Sequence, residues 1–377
     1  MSTMMRVPTT ILMFAALPLH VAAQEPVAEE AAQQAKICGG MSSDLERLAC
    51  YDKLFRLSPK DTAAADAAAA EAAAKASRSL LSSFVGDAAE VLPLDNHATE
   101  ALANAGRGSL LDRRWELAKD SKLGVFNLRA YKPVYALPFF WSSSPNVLPH
   151  SENPRNTVTE PKDLQPVEGK FQLSFKTKIV ENIFGDNGDL WGAYTQTSHW
   201  QMFNGDNSRP FRETNYEPEL MLMFRNRYHL LGWNGRMAGI GFNHQSNGGT
   251  DPESRSWNRV VATIGLDRED WALVLRPWWR VKESAAEDEN PSIEDYIGRG
   301  EATLFHKIGQ HELSLTARHS LRGGDRSHGS LQLEWGFKID GPLRGWVQVF
   351  DGYGESMIDY NHKATYIGVG ISLVDWY

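Results

Sequence analysis

From about residue 128 to the end of the chain, apolar and polar residues alternate with a period of two, in stretches that recur roughly every 20 residues. In one stretch, Leu313, Leu315 and Ala317 alternate with polar residues. Successive side chains of a β-strand point to opposite faces, so each stretch is predicted to be a strand with one apolar and one polar face. The clearest examples are residues 170–179, 313–318, 331–337 and 367–373. This part of the chain is therefore predicted to be all-β.

A soluble β-sandwich has the same alternation as a transmembrane β-barrel, because its strands also have a core face and a wet face. Three features favour the barrel: aromatic residues at the strand ends, the aromatic end of the last strand, and a signal for export. Aromatic residues crowd the predicted strand ends, where their rings would form girdles at the membrane surfaces. They are Phe139, Phe140, Trp141, Trp278, Trp279, Trp376 and Tyr377. Tyr377 is the last residue of the final predicted strand. A terminal strand that ends in an aromatic residue resembles the terminal signature of outer-membrane proteins. About 250 residues at roughly 20 per strand predict an antiparallel transmembrane barrel of about twelve strands.

The N-terminal segment supports export. Arg6 precedes an apolar stretch at 11–19, and residues 21–23 are the small residues that signal peptidase prefers at its cleavage site. We therefore predict that residues 1–23 are a signal peptide and that the mature protein starts near Gln24. The alternative is a membrane anchor, although the stretch is shorter than the roughly 20 residues that a spanning helix needs. Beyond it no apolar run approaches that length, which excludes a helical membrane protein.

Residues 24–125 are predicted to form a small, partly helical periplasmic extension. Residues 43–46 (SDLE) have the pattern of a capping box that opens a helix. The Ala-rich stretch at 62–76 has the composition of a solvated helix or linker and cannot build a core alone. The barrel is then predicted to occupy residues 126–377.

Net charge and cysteine content agree with export to the outer membrane. The net charge of −8 argues against a nucleic-acid partner, which would require a basic surface. It is compatible with an outer-membrane barrel, because barrels hold polar residues in the lumen. In the oxidising periplasm, Cys38 and Cys50 are expected to form a disulfide rather than to remain free or to bind zinc. We therefore predict a protein of the Gram-negative outer membrane.

One predicted hairpin, residues 241–259, contains the residue types of ester hydrolysis. Strand parity puts His244 and Ser246 on one face, together with the apolar side chains of that strand. On the returning strand, Asn258 also shares its face with apolar side chains. The apolar face of a barrel contacts lipid, so all three polar side chains are predicted to point outward.

The register of this hairpin predicts contact between the three residues. If the chain turns symmetrically about Asp251, His244 lies opposite Asn258, and Ser246 follows two residues along the same face. These positions suit a nucleophile, a base and a residue that orients the base. A single polar residue near a strand end is usually just a side chain at the headgroup level. A polar cluster on a lipid face costs free energy unless it serves a function.

This hairpin resembles the active-site hairpin of the outer membrane phospholipase A family. Further matching motifs are spread over residues 128–377. They lie at 131–135 (YKPVY), 194–196 (YTQ), 210–218 (PFRETNYEP), 277–278 (PW), 353–356 (YGES) and 358–361 (IDYN). The resemblance implies a twelve-stranded barrel that hydrolyses acyl esters of phospholipids and lysophospholipids at the A1 and A2 positions. It also implies activity as a calcium-bound homodimer.

The resemblance implies that Ser246 is the nucleophile, His244 the general base and Asn258 the third member of the triad. A neutral Asn can fix the imidazole tautomer but cannot pair with the imidazolium charge, so the oxyanion needs another stabilising group. In the family, a calcium ion and the backbone amide of the nucleophile share that task.

The matching calcium positions are the hydroxyl of Ser254, the carbonyl of Gly249 and the carbonyl of Ser208 from a second subunit. The family usually has Arg at the position of Gly249, but a backbone ligand does not depend on the side chain. A further site, seen in the monomeric form, would use Glu289 where the family has Asp. Glu can also bind calcium through its carboxylate oxygens.

Other polar residues of the matching motifs have different expected roles. Gln196 lies on a lipid-facing strand face, either as a hydrogen-bond partner across the dimer interface or as a rim residue. Five residues are interpreted as a lumen-facing polar network: Arg212, Glu213, Tyr216, Glu217 and Glu219. The rival function is that of a porin or other transport barrel, which would conduct ions and would not hydrolyse esters.

Overall fold

The computed structural model describes residues 109–340 and 343–372, together with Ile37 and Gly40. The predicted signal peptide, capping-box helix, Ala-rich linker and terminal aromatic residues lie outside the described residues, as do both cysteines, and these remain predictions. Among the residues that are described, no helix is long and apolar enough to cross a membrane.

Within the described residues, thirteen strands form one antiparallel sheet. They are β1 (Arg129–Ala130), β2 (Tyr135–Ser142), β3 (Val167–Val180), β4 (Asp189–Trp200), β5 (Phe211–Leu230), β6 (Trp233–Ser246), β7 (Ser256–Arg268), β8 (Trp271–Val281), β9 (Gly300–Ile308), β10 (His311–His319), β11 (Gly329–Asp340), β12 (Leu343–Tyr353) and β13 (Lys363–Ser372). Each strand from β2 onward pairs with the next, and β13 pairs with β2. The sheet is thereby closed, and β1 adds a short strand beside β3. This confirms the predicted twelve-stranded antiparallel barrel.

Side chains alternate between the outer surface and the lumen. On β11, Leu333 and Trp335 are exposed, whereas Glu334 between them is buried and accepts hydrogen bonds from Ser314 and Gln348. The lumen holds paired charges and a polar cavity of about 220 Å³. A soluble sandwich would bury its apolar face, whereas this barrel exposes it, as contact with lipid requires.

The aromatic residues at the strand ends divide between the two faces. Phe139, Trp141 and Trp279 are exposed on the outside, as expected for an interfacial girdle. Phe140 is 0% exposed and Trp278 is 4% exposed, so both point inward and their assignment to the girdle was wrong. The reason is the period of two, which sends adjacent residues of a strand to opposite faces.

The two ends of the barrel differ. At one end, β5 and β6 are joined by the two-residue turn Leu231-Gly232, whose positive φ angles suit a tight hairpin turn. At the other end lie longer loops, among them residues 143–166, 247–255 and 282–299. Short turns at one end and long loops at the other are typical of outer-membrane barrels, in which the long loops are extracellular.

A short helix, α1 (Leu110–Trp115), packs at the short-turn end. Its N-cap Ser109 accepts a hydrogen bond from the amide of Asp112. Leu111 and Trp115 are buried in a cluster with barrel side chains such as Met237. The helix lies in the range predicted for the extension, yet it packs against the barrel. At the long-loop end, the described chain includes a second short helix, α2 (Ile293–Tyr296).

Candidate active site

The hairpin of β6 and β7 has the predicted register. His244 lies directly opposite Asn258, and Ser246 lies opposite Ser256. Phe242, on the same face as His244, is exposed, whereas the intervening Asn243 is buried. His244, Ser246 and Asn258 therefore lie on the outer face of the barrel, at the long-loop end.

The closest contact within the predicted triad joins its base and its third member. His244 Nδ1 lies 2.9 Å from Asn258 Oδ1, within hydrogen-bond distance. In the described part of the chain, no hydrogen bond joins Ser246 to His244, although the two share a face two residues apart. Contacts between nucleophile and base are often long without substrate. The arrangement can hold the imidazole with Nε2 free to accept a proton.

The amide of Asn258 has a second partner that the sequence analysis did not identify. Its Nδ2 donates to Glu283 Oε1 at 3.3 Å. Glu283 Oε2 in turn lies 3.4 Å from Arg280, which also pairs with Asp288 at 2.6 Å. Burial raises the pKa of the Glu283 carboxyl, while Arg280 and the hydrogen bond from Asn258 act to lower that pKa.

The turn after the nucleophile strand is organised by Asn247. Its side-chain oxygen accepts from the amides of Gly249 at 3.1 Å and Arg255 at 2.9 Å, and its Nδ2 donates to the carbonyl of Glu253 at 2.8 Å. Because these bonds tie one side chain to three backbone positions, the turn has a defined shape immediately beyond Ser246.

Neighbouring loops hold this turn from outside. Arg255 is fully buried and donates to the carbonyls of Ser254 at 2.7 Å and Asn156 at 2.8 Å. Asn156 donates through its own Nδ2 to Asp251 Oδ1 at 3.0 Å. A loop about 100 residues earlier in the chain therefore fixes the active-site turn, and no local sequence pattern signals this contact.

The residues predicted to bind calcium lie on three loops. Ser254 Oγ donates to Glu289 Oε1 at 2.5 Å, so the structure brings together residues predicted for two different sites. Glu289 Oε2 is buried and, among the described residues, has no hydrogen-bond partner. Gly249 is exposed on the same turn as Ser254, and Ser208 is exposed on the loop between β4 and β5. No hydrogen bond in the described chain links Ser208 to the other three.

These donors suit a hard cation. Hydroxyl, carbonyl and carboxylate oxygens are the ligands that calcium takes. Glu289 Oε2, which has no hydrogen-bond partner among the described residues, is a buried acceptor that a cation would satisfy. The described residues contain no cluster of three or more His, Cys, Asp or Glu side chains that could hold a metal ion. Any calcium site here would therefore depend on neutral oxygens as well as carboxylates.

The strand faces of the other motif residues are also clear. Arg212, Glu213, Glu217 and Glu219 join the inner polar network, as predicted. Tyr216 was assigned wrongly, because it is 37% exposed on the outer face and its ring lies against Gly248. On the regular part of β5, Tyr216 lies one position from Glu217 and therefore faces the opposite side, whereas Arg212 lies where the pairing of β4 with β5 shifts register. Gln196 lies on the outer face, where it accepts a hydrogen bond from the Tyr194 hydroxyl at 3.1 Å.

Behind the triad, an inner layer supports the hairpin. Gln245 accepts from Trp257 Nε1 at 3.0 Å, and Arg259 donates to Asn243 Oδ1 at 3.1 Å through its Nε. Asn243 also donates to Glu217 at 2.9 Å. This layer was not predicted from the sequence, although the polar residues that alternate with the triad in the same hairpin were a usable signal.

Comparison with known proteins identifies relatives of this chain. A family model described as phospholipase A1 matches residues 111–373, a range that begins in α1. The chain is 35% identical over 361 residues to a putative phospholipase A1 of Neisseria meningitidis serogroup B, covering 93% of each protein. It is 40% identical over 208 residues to phospholipase A1 of Escherichia coli, covering 55% of this chain and 70% of the relative.

Solved structures are similar as well. Outer membrane phospholipase A from Escherichia coli matches with a TM-score of 0.59 and 35% identity, covering 67% of this chain and 100% of that structure. The outer membrane phospholipase dimer of Salmonella typhi with bound calcium matches with a TM-score of 0.60 and 34% identity, covering 67% of this chain and 94% of that structure.

Proposed function

The chain belongs to the phospholipase A1 family of outer membrane phospholipases, and we propose that Ser246, His244 and Asn258 are its catalytic residues. It is an outer membrane enzyme that hydrolyses phospholipid acyl esters. The observation that carries the residue assignment is the 2.9 Å contact between His244 and Asn258, on the face of the barrel that contacts lipid.

The proposed reaction uses the three side chains in turn. Ser246 Oγ attacks the ester carbonyl carbon while His244 Nε2 takes its proton, and Asn258 Oδ1 accepts from Nδ1–H and fixes the tautomer. When the tetrahedral intermediate collapses, the C–O bond to the glycerol oxygen breaks, and the imidazolium returns its proton to that oxygen. Water, deprotonated by His244, then hydrolyses the acyl-serine and releases a fatty acid.

The position of Ser246 suits a lipid substrate. It lies at the end of β6, where the outer face still carries exposed apolar side chains such as Phe242 and Tyr216. An ester at the boundary between acyl chains and headgroups can therefore reach the nucleophile without leaving the bilayer. We propose both phospholipids and lysophospholipids, cleaved at the A1 and A2 positions, as substrates.

We further propose that the enzyme binds Ca²⁺ and acts as a homodimer. The hydroxyl of Ser254 and the carbonyl of Gly249 would bind the ion together with the carbonyl of Ser208 from a second subunit, and Glu289 would serve a further site. A bound calcium ion supplies positive charge that stabilises the oxyanion of the ester. The oxygen character of these ligands supports this assignment, as does the buried Glu289 Oε2, which has no hydrogen-bond partner in the part of the chain that the structure describes. The Salmonella typhi relative is a dimer with bound calcium.

The domain organisation is part of the same proposal. Residues 1–23 would direct export and be removed, 24–125 would form the periplasmic extension, and 126–377 would form the catalytic barrel. Export through a signal peptide is the route that an outer-membrane barrel requires.

A hydrolysis assay tests the proposed function. Refolded protein is given phospholipid in mixed micelles, with calcium or with excess chelator, and fatty acid release is measured. We expect calcium-dependent release that is lost in Ser246→Ala, while heat-modifiable migration in electrophoresis shows that the variant barrel is folded. Hydrolysis by the folded Ser246→Ala variant, or full activity in chelator, would contradict the assignment of the nucleophile or of calcium respectively.

A further inference from the structure

Glu283 stands behind the proposed triad, on the loop that follows β8. In the sheet, Asn258 pairs with Val281, which is exposed on the outer face, and Glu283 follows two residues later. The Glu283 side chain is 22% exposed, and its Oε1 accepts the 3.3 Å hydrogen bond from Asn258 Nδ2. The amide of Asn258 is therefore held at both ends, by His244 and by Glu283.

The chemistry of these partners determines which way the amide faces. A carboxylate only accepts hydrogen bonds, so the end of Asn258 that faces Glu283 must be the NH₂ group. The carbonyl oxygen is then directed toward His244, where it can accept from Nδ1–H. A reversed amide would place its NH₂ group against the imidazole and its oxygen against a carboxylate. It would lose the hydrogen bond to Glu283, and its NH₂ group could donate only to an unprotonated Nδ1, which is the wrong tautomer.

Glu283 also supplies the charge that Asn258 lacks. A neutral third member cannot balance the imidazolium that forms during acylation. A carboxylate on the far side of the Asn258 amide polarises the amide carbonyl, and only this amide group separates the carboxylate from the imidazole. Arg280 Nη2 lies 3.4 Å from this carboxylate, and the same nitrogen pairs with Asp288 at 2.6 Å.

We propose that Glu283 is a positioning residue of the catalytic machinery, which fixes the amide of Asn258 with its oxygen toward His244 and places a negative charge behind it. The proposal rests on the proposed function, because it assigns Glu283 a role only if His244 and Asn258 are catalytic. The proposed relay runs from Ser246 through His244 and Asn258 to Glu283.

The isosteric change Glu283→Gln tests the charge. Its side-chain oxygen can still accept from Asn258, so the shape of the site is kept while the charge is removed. We expect kcat to fall about tenfold with KM unchanged, since the proposal gives Glu283 a role behind Asn258 and none in binding substrate. We also expect the acid limb of the pH–rate profile to move to lower pH, because a negative charge that favours the positively charged form of the site is lost. Arg280, Asp288 and Glu289, the other charged groups that face Glu283, are left intact.

A charge exchange provides the second test. Asn258→Asp alone sets two carboxylates against each other. In the double variant with Glu283→Gln, the carboxylate introduced at position 258 accepts from His244 Nδ1–H and from the amide of the introduced Gln. The negative charge is kept and now lies in direct contact with the base. We expect the double variant to be more active than either single variant and within about threefold of the parent protein, whereas independent effects would multiply.

The matched control is Glu287→Gln, which removes the same charge from the same loop. Glu287 accepts from Ser284 Oγ at 2.9 Å, and no described contact joins it to the triad. Its activity and pH profile should equal those of the parent protein. The proposal is overturned if Glu283→Gln behaves like this control. It is also overturned if Glu283→Gln loses activity while its pH profile does not move and the double variant shows no recovery. Ser246→Ala is measured in the same experiment. If Ser246→Ala is folded and active, the proposed function has failed. If Ser246→Ala is folded and inactive, only the role of Glu283 is in question.

Discussion

The hydrogen bond between His244 and Asn258 makes a quantitative prediction for Asn258→Ala. The change removes a contact of 2.9 Å on a partly exposed face. Such a bond contributes about 0.5 to 1.5 kcal/mol net. If all of it is used in the transition state, the rate falls by about 2- to 13-fold. We expect a value near tenfold, because the bond also selects the tautomer of His244.

The assay is the initial rate of fatty acid release at saturating calcium and substrate, with folding checked by heat-modifiable migration. Ser246→Ala sets the floor, since it removes the nucleophile itself. The predicted ordering places Asn258→Ala well above that floor and below the parent protein. Because the alanine also disconnects Glu283, adding Glu283→Gln to Asn258→Ala should cost little more.

Two results would refute this reasoning. An Asn258→Ala variant as inactive as Ser246→Ala would mean that Asn258 does more than orient the base. A variant with the rate of the parent protein would mean that the hydrogen bond is not used during catalysis. On folded barrel, the first result requires a larger role for Asn258, and the second requires a different third member.

Three further predictions follow from the same contacts. Ser246→Ala and His244→Ala should each abolish hydrolysis and leave the barrel folded, as judged by heat-modifiable migration, because both side chains lie on the outer surface; unfolding of either variant would contradict this. Ser254→Ala should raise the calcium concentration needed for both hydrolysis and cross-linked dimer, with measurable activity at saturating calcium, because one oxygen ligand is lost; a shift in only one of the two titrations would separate calcium from dimerisation. Trp115→Ala should lower the free energy of unfolding in urea by about 3 kcal/mol, because a buried ring in α1 is removed. Deletion of residues 24–108, which keeps α1, should leave activity and stability unchanged. An unaltered urea midpoint for Trp115→Ala would show that α1 does not stabilise the barrel.

Local sequence pattern was enough to predict the hairpin of the site. A period of two determines which residues share a face, and a turn centred on Asp251 determines which residues lie opposite each other. Together they predicted that His244 faces Asn258, and the register confirms it. The same rule shows why Phe140, Trp278 and Tyr216 were wrongly assigned, since each lies one position from a residue of the opposite face.

Contacts between distant loops could be found only in the folded barrel. Glu283 reaches Asn258 through the register of β7 against β8, and Glu289 reaches Ser254 across two long loops. Asn156 holds the active-site turn from a loop about 100 residues away. Alternation of side chains is a property of each strand, whereas the distance between two loops depends on the closure of the whole sheet. The sequence by itself therefore determined the strands, their outward faces and the catalytic hairpin, and the tertiary structure decided which other side chains surround it.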